Sequence, residues 1–79
     1  MRLDKFLKVS RIIKRRTVAN EAVSKDRVSV NGRVVKPSYN VKPGDIIEMT
    51  FGARVLKIEV LKTVDTVSKD DAATLYKVI

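Results

Sequence analysis

The chain contains no cysteine, no histidine and no tryptophan. Those absences remove disulfides, thiolate and imidazole metal sites, and the usual nucleophile and general-base pairs. Freedom from cysteine also fits a reducing compartment. The aromatics are Phe6, Phe51, Tyr39 and Tyr76 alone, a thin supply for the stacking platforms on which single-strand readers seat their bases. No apolar run approaches the roughly 20 residues of a membrane span. The N-terminus also lacks the apolar segment of a signal peptide, so a soluble cytoplasmic protein is expected. At 79 residues the chain amounts to one domain, residues 1–79, near the size at which a single core can just sustain itself. Its 44% hydrophobic and 33% charged residues make a globular mixture rather than a disordered one.

What the sequence has in excess is positive charge, and its placement is uneven. The net charge is +8. Residues 1–36 hold 11 Lys and Arg against Asp4, Glu21 and Asp26, whereas residues 37–79 hold six basic and six acidic residues. The first half therefore carries the whole excess, as a polyanion-binding face would. Within it, the stretch RIIKRRTVANEAV packs Arg11, Lys14, Arg15 and Arg16 into six positions before a helical pattern. Nucleic acid is the first candidate partner and an anionic membrane surface the second.

The hydrophobic pattern gives a coarse α+β architecture. Leu3, Phe6 and Leu7 mark one buried stripe of a first helix, with Lys5, Lys8 and Arg11 on another side. A second helix is predicted from about Thr17, whose hydroxyl can cap it, with Ala19, Ala22 and Val23 inward. Val28 and Val30 alternate with polar residues up to Asn31-Gly32, the strongest short signal for a hairpin, and Val34 and Val35 follow. Pro43-Gly44-Asp45 marks another turn. Residues 46–51 and 54–61 read as two strands, the second with Leu56, Ile58 and Val60 on one face. Ser68 and Asp71 resemble a capping box, which predicts a closing helix over 70–79. The expected fold is two N-terminal helices packed on a small antiparallel sheet with a C-terminal helix.

A solvated loop is the plain alternative for Lys14-Arg15-Arg16, since short basic runs are weak motifs. Three features favour a binding role. Arg2, Lys5, Lys8 and Arg11 extend the charge along the preceding helix. The second helix begins beside the cluster, and its free amides can receive a phosphate. Arg27, Arg33 and Lys36 add charge around the hairpin. A membrane-binding helix would need large apolar residues beside its basic face, but Leu3, Phe6 and Leu7 are needed for the core. For DNA, the second helix offers only Asn20 and Lys25 to read base edges. Among the aromatics, Phe6 and Phe51 fall on expected core faces. Tyr39 is either a stacker or a half-buried loop tyrosine. Structured RNA, read through backbone charge and shape, is the favoured partner. Asp70-Asp71 is read as a helix-start pair rather than a metal site, and neither metal nor cofactor is expected.

The segments RLDKFLKVSR, KRRT and VSVNGRVVKPSYNVKPGD together resemble the RNA-binding domain named after the fourth protein of the small ribosomal subunit, also called the alpha-L RNA-binding motif. The resemblance covers residues 2–50, leaving a C-terminal strand and helix over 54–79. It implies that the two helices and the hairpin form the RNA face. Arg2, Lys5, Arg11, Arg15, Arg16 and Thr17 would then lie on the contact surface, with Asn31 and Lys36 near its edge. Lys8 and Lys14 join this set through the charge pattern. One departure is Asp26, where the family commonly has glycine. RVLKIEV and DAATLYKVI look like the ribosome-associated subgroup that includes the fifteen-kilodalton heat-shock protein, without that relative's basic tail. The quality-control branch of this family implies binding to large ribosomal subunits that hold a stalled peptidyl-tRNA. There the protein would contact ribosomal RNA and tRNA as a monomer, while a tailing-factor partner directs C-terminal tailing, and no enzymatic step is expected. Two alternatives are a general ribosome-recycling or assembly factor and the targeting module of an RNA-modifying enzyme.

Overall fold

The computed structural model describes residues 1–79. Two helices, α1 (Leu3–Val9) and α2 (Arg16–Ser24), precede the strands β1 (Val28–Val30), β2 (Arg33–Val34), β3 (Ile46–Phe51), β4 (Arg54–Val60) and β5 (Tyr76–Val78). The strands form one antiparallel sheet in the order β2-β1-β3-β4-β5. No helix is long and apolar enough to cross a membrane.

The core follows from the two periodicities. Leu3, Phe6 and Leu7 of α1 and Ala19 of α2 are fully buried. They join Val28, Val30, Ile47, Met49, Ile58 and Val60, the alternate residues of three neighbouring strands, in a single cluster. The opposite face of the sheet keeps the polar residues. There the register sets Glu48 opposite Lys57 and Glu59 opposite Lys77. Opposite charges on neighbouring strands offset each other, so this side of the neutral half presents balanced charge.

Local turn chemistry sets the connections. Asn31 and Gly32 lie at φ 53° and 80°, the pair of positive values that a type I′ hairpin turn requires. Asp26, at φ 60°, occupies the left-handed position after α2 where glycine is usual. Its amide bonds the Val23 carbonyl at 3.1 Å and the Arg27 amide bonds the Ala22 carbonyl at 3.1 Å, so the helix end closes without glycine. Ahead of α1, Leu3 N–H donates to the Tyr39 carbonyl and Val41 N–H to the Met1 carbonyl, each at 2.8 Å. Those bonds pin Arg2 as an extended residue against the loop around residue 40.

The structure corrects three sequence expectations. The closing helix is only a 3-10 turn over Ala72–Leu75, after which the chain enters β5. The reason is the free edge of β4. Tyr76 and Val78 pair with Val60 and Ile58, giving the backbone of β4 hydrogen-bond partners that a helix cannot supply. Ser68 and Asp71 still bond each other as expected, Ser68 Oγ donating to Asp71 Oδ2 at 2.9 Å. Secondly, Phe51, the last residue of β3, is 43% exposed, because it lines an open groove with Ile12, Val18 and Ala22 rather than closing into the core. Thirdly, α2 starts at Arg16, and Arg15 rather than Thr17 takes the extended N-cap conformation, with no side-chain cap bond.

Candidate nucleic-acid interface

The basic half of the chain is organised around one carboxylate. Asp4 sits in the first turn of α1 with only 2% of its surface exposed. Arg2 donates to both its oxygens, from Nε and from Nη2, at 3.2 Å each. Asn20 Nδ2, on α2, reaches Asp4 Oδ2 at 3.2 Å, and the Lys5 amide reaches Oδ1 at 2.7 Å. Arg16 Nη2 lies 3.5 Å from Oδ1. Burial alone would raise the Asp4 pKa. The bonds from Arg2, Asn20 and the Lys5 amide, with the charge of Arg16, outweigh it and hold the carboxyl below its ordinary value. Asp4 is therefore a fixed negative charge at neutral pH.

Two like charges placed side by side repel, so a cleft carrying two guanidinium groups needs such an anchor. Arg2 and Arg16 remain 49% and 47% exposed at the side chain. Arg2 spends two N–H groups on Asp4 and keeps the rest for a ligand. Thr17 and Asn20 complete a concavity of about 360 Å³ with these three residues. The first turn of α2 opens there without a side-chain cap, so its free amides face the same question of who satisfies them. Guanidinium forks and helix-start amides both donate to anions, so the arrangement has the chemistry to receive a phosphate oxygen.

The other predicted residues divide into three groups. Lys8, Arg11 and Lys14 line a separate concavity, away from Arg2 and Arg16. Arg15 and Lys36 are exposed, whereas Lys5 is half-buried and reaches Asp65 at 3.3 Å. Asn31 is exposed, but its side-chain amide is engaged on both ends. Its Nδ2 donates to Asp45 Oδ1 at 3.1 Å and its Oδ1 accepts from the Ile46 amide at 2.9 Å, so the side chain helps to hold the hairpin. Tyr39 is the half-buried loop tyrosine of the two readings. Its hydroxyl donates to Asp45 Oδ2 at 3.1 Å, and burial, then the bond and charge of Asp45, raise its pKa. Asp4 is the member of this cluster that the charge pattern hid. The only signal for it was an acid in the first turn of an otherwise basic helix.

Comparison with known proteins bears on this face directly. The S4 domain family matches residues 1–47, more than half of the chain. The chain belongs to the S4-domain family. The S4 match contains α1, α2 and the hairpin, and therefore every residue of the Asp4 cleft. Over all 79 residues the chain is 52% identical to the RQC P-site tRNA stabilizing factor of Streptococcus pneumoniae, covering 90% of it. It is 48% identical to the factor of the same name from Bacillus subtilis, covering 92%. Among solved structures, the trimeric heat shock protein 15 of Vibrio cholerae superposes with a TM-score of 0.93 at 32% identity. That likeness spans 100% of this chain and 81% of that one, so the S4 domain and the C-terminal strands beyond it keep one arrangement.

Proposed function

We propose that this chain binds large ribosomal subunits that still hold a peptidyl-tRNA and steadies the P-site tRNA. It contacts ribosomal RNA and tRNA while a partner protein directs C-terminal tailing of the nascent chain. The carrying observation is the half-exposed Arg2–Arg16 pair held on the buried Asp4 carboxylate. Full-length likeness to RQC P-site tRNA stabilizing factors supports the same reading. The task is positional. Arginine forks grip phosphates in a bidentate way that lysine does not reproduce, so affinity comes from fixed charge and no bond is made or broken. The protein acts as a cytoplasmic monomer without a cofactor.

The likeness to heat shock protein 15 favours a second reading, a general ribosome-recycling factor. Sedimentation of the tagged chain through a lysate gradient separates the two. The quality-control reading expects wild type on large subunits carrying peptidyl-tRNA, with Arg16→Ala left at the top of the gradient and its fold intact. Equal binding to empty subunits supports the recycling reading. Normal co-sedimentation of Arg16→Ala removes the cleft from either account.

A further inference from the structure

The second concavity, about 540 Å³, opens between the connection that follows α1 and the segment around residues 65–69. Lys8, Arg11 and Lys14 stand on one wall, Thr66 and Lys69 on the other. None of these four cations belongs to any of the molecule's four ion pairs. The acid in the lining, Asp65, is already engaged by Lys5. Where the buried Asp4 pairs with both Arg2 and Arg16, none of these four cations has an acid within ion-pair distance. Uncompensated cations in a concave site focus the potential outward and draw in an anion.

The backbone sharpens the same point. Arg11 lies at φ 62° immediately after the helix end, a position where glycine costs least and an ordinary side chain costs about 1–2 kcal/mol. Its amide bonds the Lys8 carbonyl at 3.0 Å and Ile13 N–H bonds the Leu7 carbonyl at 3.1 Å, which fixes the abrupt turn. The backbone that carries Arg11 is thus fixed beside the basin, to which its side chain contributes lining. The opposite wall lies outside the S4 match, which ends at residue 47. The site exists only because the C-terminal segment folds back towards α1.

The lining also selects the ligand. It contains no aromatic residue, and Val9 and Val67 are its apolar members, so a base has no ring to stack on. Its volume lies within the roughly 300–1,000 Å³ of ligand sites. Lysine ammonium groups act as point charges and tolerate varied phosphate geometry. We infer that this basin is a second RNA-backbone site, which holds phosphates of a strand other than the one gripped at Arg2 and Arg16. The inference rests on the RNA-binding reading above, and it gives the chain two separate grips with which to bridge two RNA segments.

Chemical footprinting on purified large ribosomal subunits carrying peptidyl-tRNA tests it, using the full chain, Arg16→Ala and a Lys14→Ala/Lys69→Ala double variant. The double variant, with an unchanged thermal midpoint, is expected to bind about tenfold more weakly. Its slope of log affinity against log salt should fall by about 1.4–1.8, the equivalent of two phosphates. With each variant added at concentrations that saturate the subunits despite its weaker affinity, it should lose protection of nucleotides different from those that Arg16→Ala exposes. Loss of the same nucleotides by both variants would overturn the second site, because the two concavities would then serve one strand. Unchanged affinity, slope and protection in the double variant would overturn it too, leaving the Asp4 cleft as the RNA grip. Failure of the wild-type chain to protect any nucleotide would instead bring down the functional reading itself.

Discussion

Asp4 and Asp45 are two buried carboxylates in one small domain, one in each half of the chain, and they hold different company. Asp4 is ringed by Arg2, Arg16 and Asn20, whose outer surfaces stay accessible. Asp45 receives the Asn31 amide at 3.1 Å, the Tyr39 hydroxyl at 3.1 Å and the Lys42 N–H at 3.0 Å, with no cation in its shell. Both obey one rule, that a buried charge needs partners. The neutral donors around Asp45 tie the hairpin, the loop and the turn before β3 to one another, so its task ends with the fold. The charged donors around Asp4 are only half used by it, and their unspent N–H groups remain open to solvent, the surface on which the proposed function rests. The partner's charge, more than the acid's burial, separates a structural carboxylate from a functional one.

Substitution can break this comparison at its structural end first. Asp45→Ala strips three donors of their shared acceptor, at about 0.5–1.5 kcal/mol for each hydrogen bond lost. Even 2 kcal/mol lowers the melting temperature of a domain this size by about 8–16 °C. The fraction still folded should bind RNA normally, and calorimetry beside filter binding checks both halves of that statement. A smaller effect reads the Asp4 cluster by pH. Because the Asp4 pKa is depressed in the folded chain, its contribution to stability is fully present above the ordinary carboxylate pKa of about 3.9. That contribution is lost as pH falls through the lower folded value. Acid melts of Asp4→Asn should therefore show a weaker loss of stability over that range than wild type. The smallest expected effect lies at Asp26, where the left-handed residue has no hydrogen-bonding role at its side chain. Asp26→Gly should stabilise the chain by about 0.5–1 kcal/mol, read as a rise in the denaturation midpoint with binding unchanged.

The sequence conveys the helices and the hairpin because their signals are local. Leu3, Phe6 and Leu7 recur at helical spacing, and Asn31-Gly32 permits one kind of turn. The end of the chain was misleading for the opposite reason. DDAATL favours a helix, but the following Tyr76-Lys77-Val78 alternates in the manner of a strand, and the exposed edge of β4 decides between them. That edge is a tertiary fact, invisible to a local window. The same holds for the site. Charge density marks Arg2 and Arg16 as candidates, yet nothing in a one-dimensional pattern says that Asp4, Arg16 and Asn20 meet across two helices. Asn31 is a parallel case, since its motif membership marks the turn but does not show that its side chain bonds Asp45 and the Ile46 amide.

The most direct measurement is the affinity of Asp4→Asn for large ribosomal subunits carrying peptidyl-tRNA, taken across a salt series with wild type alongside. The substitution removes a negative charge from a polyanion-binding face, so net charge alone favours tighter binding. Positioning favours the opposite, because Arg2 and Arg16 lose the carboxylate that holds them side by side. The account predicts weaker binding by about tenfold, the equivalent of 1.4 kcal/mol, in a chain that remains folded. Equal or tighter binding by the folded variant would contradict it and reduce the Asp4 cluster to a structural ion pair beneath an undirected basic surface.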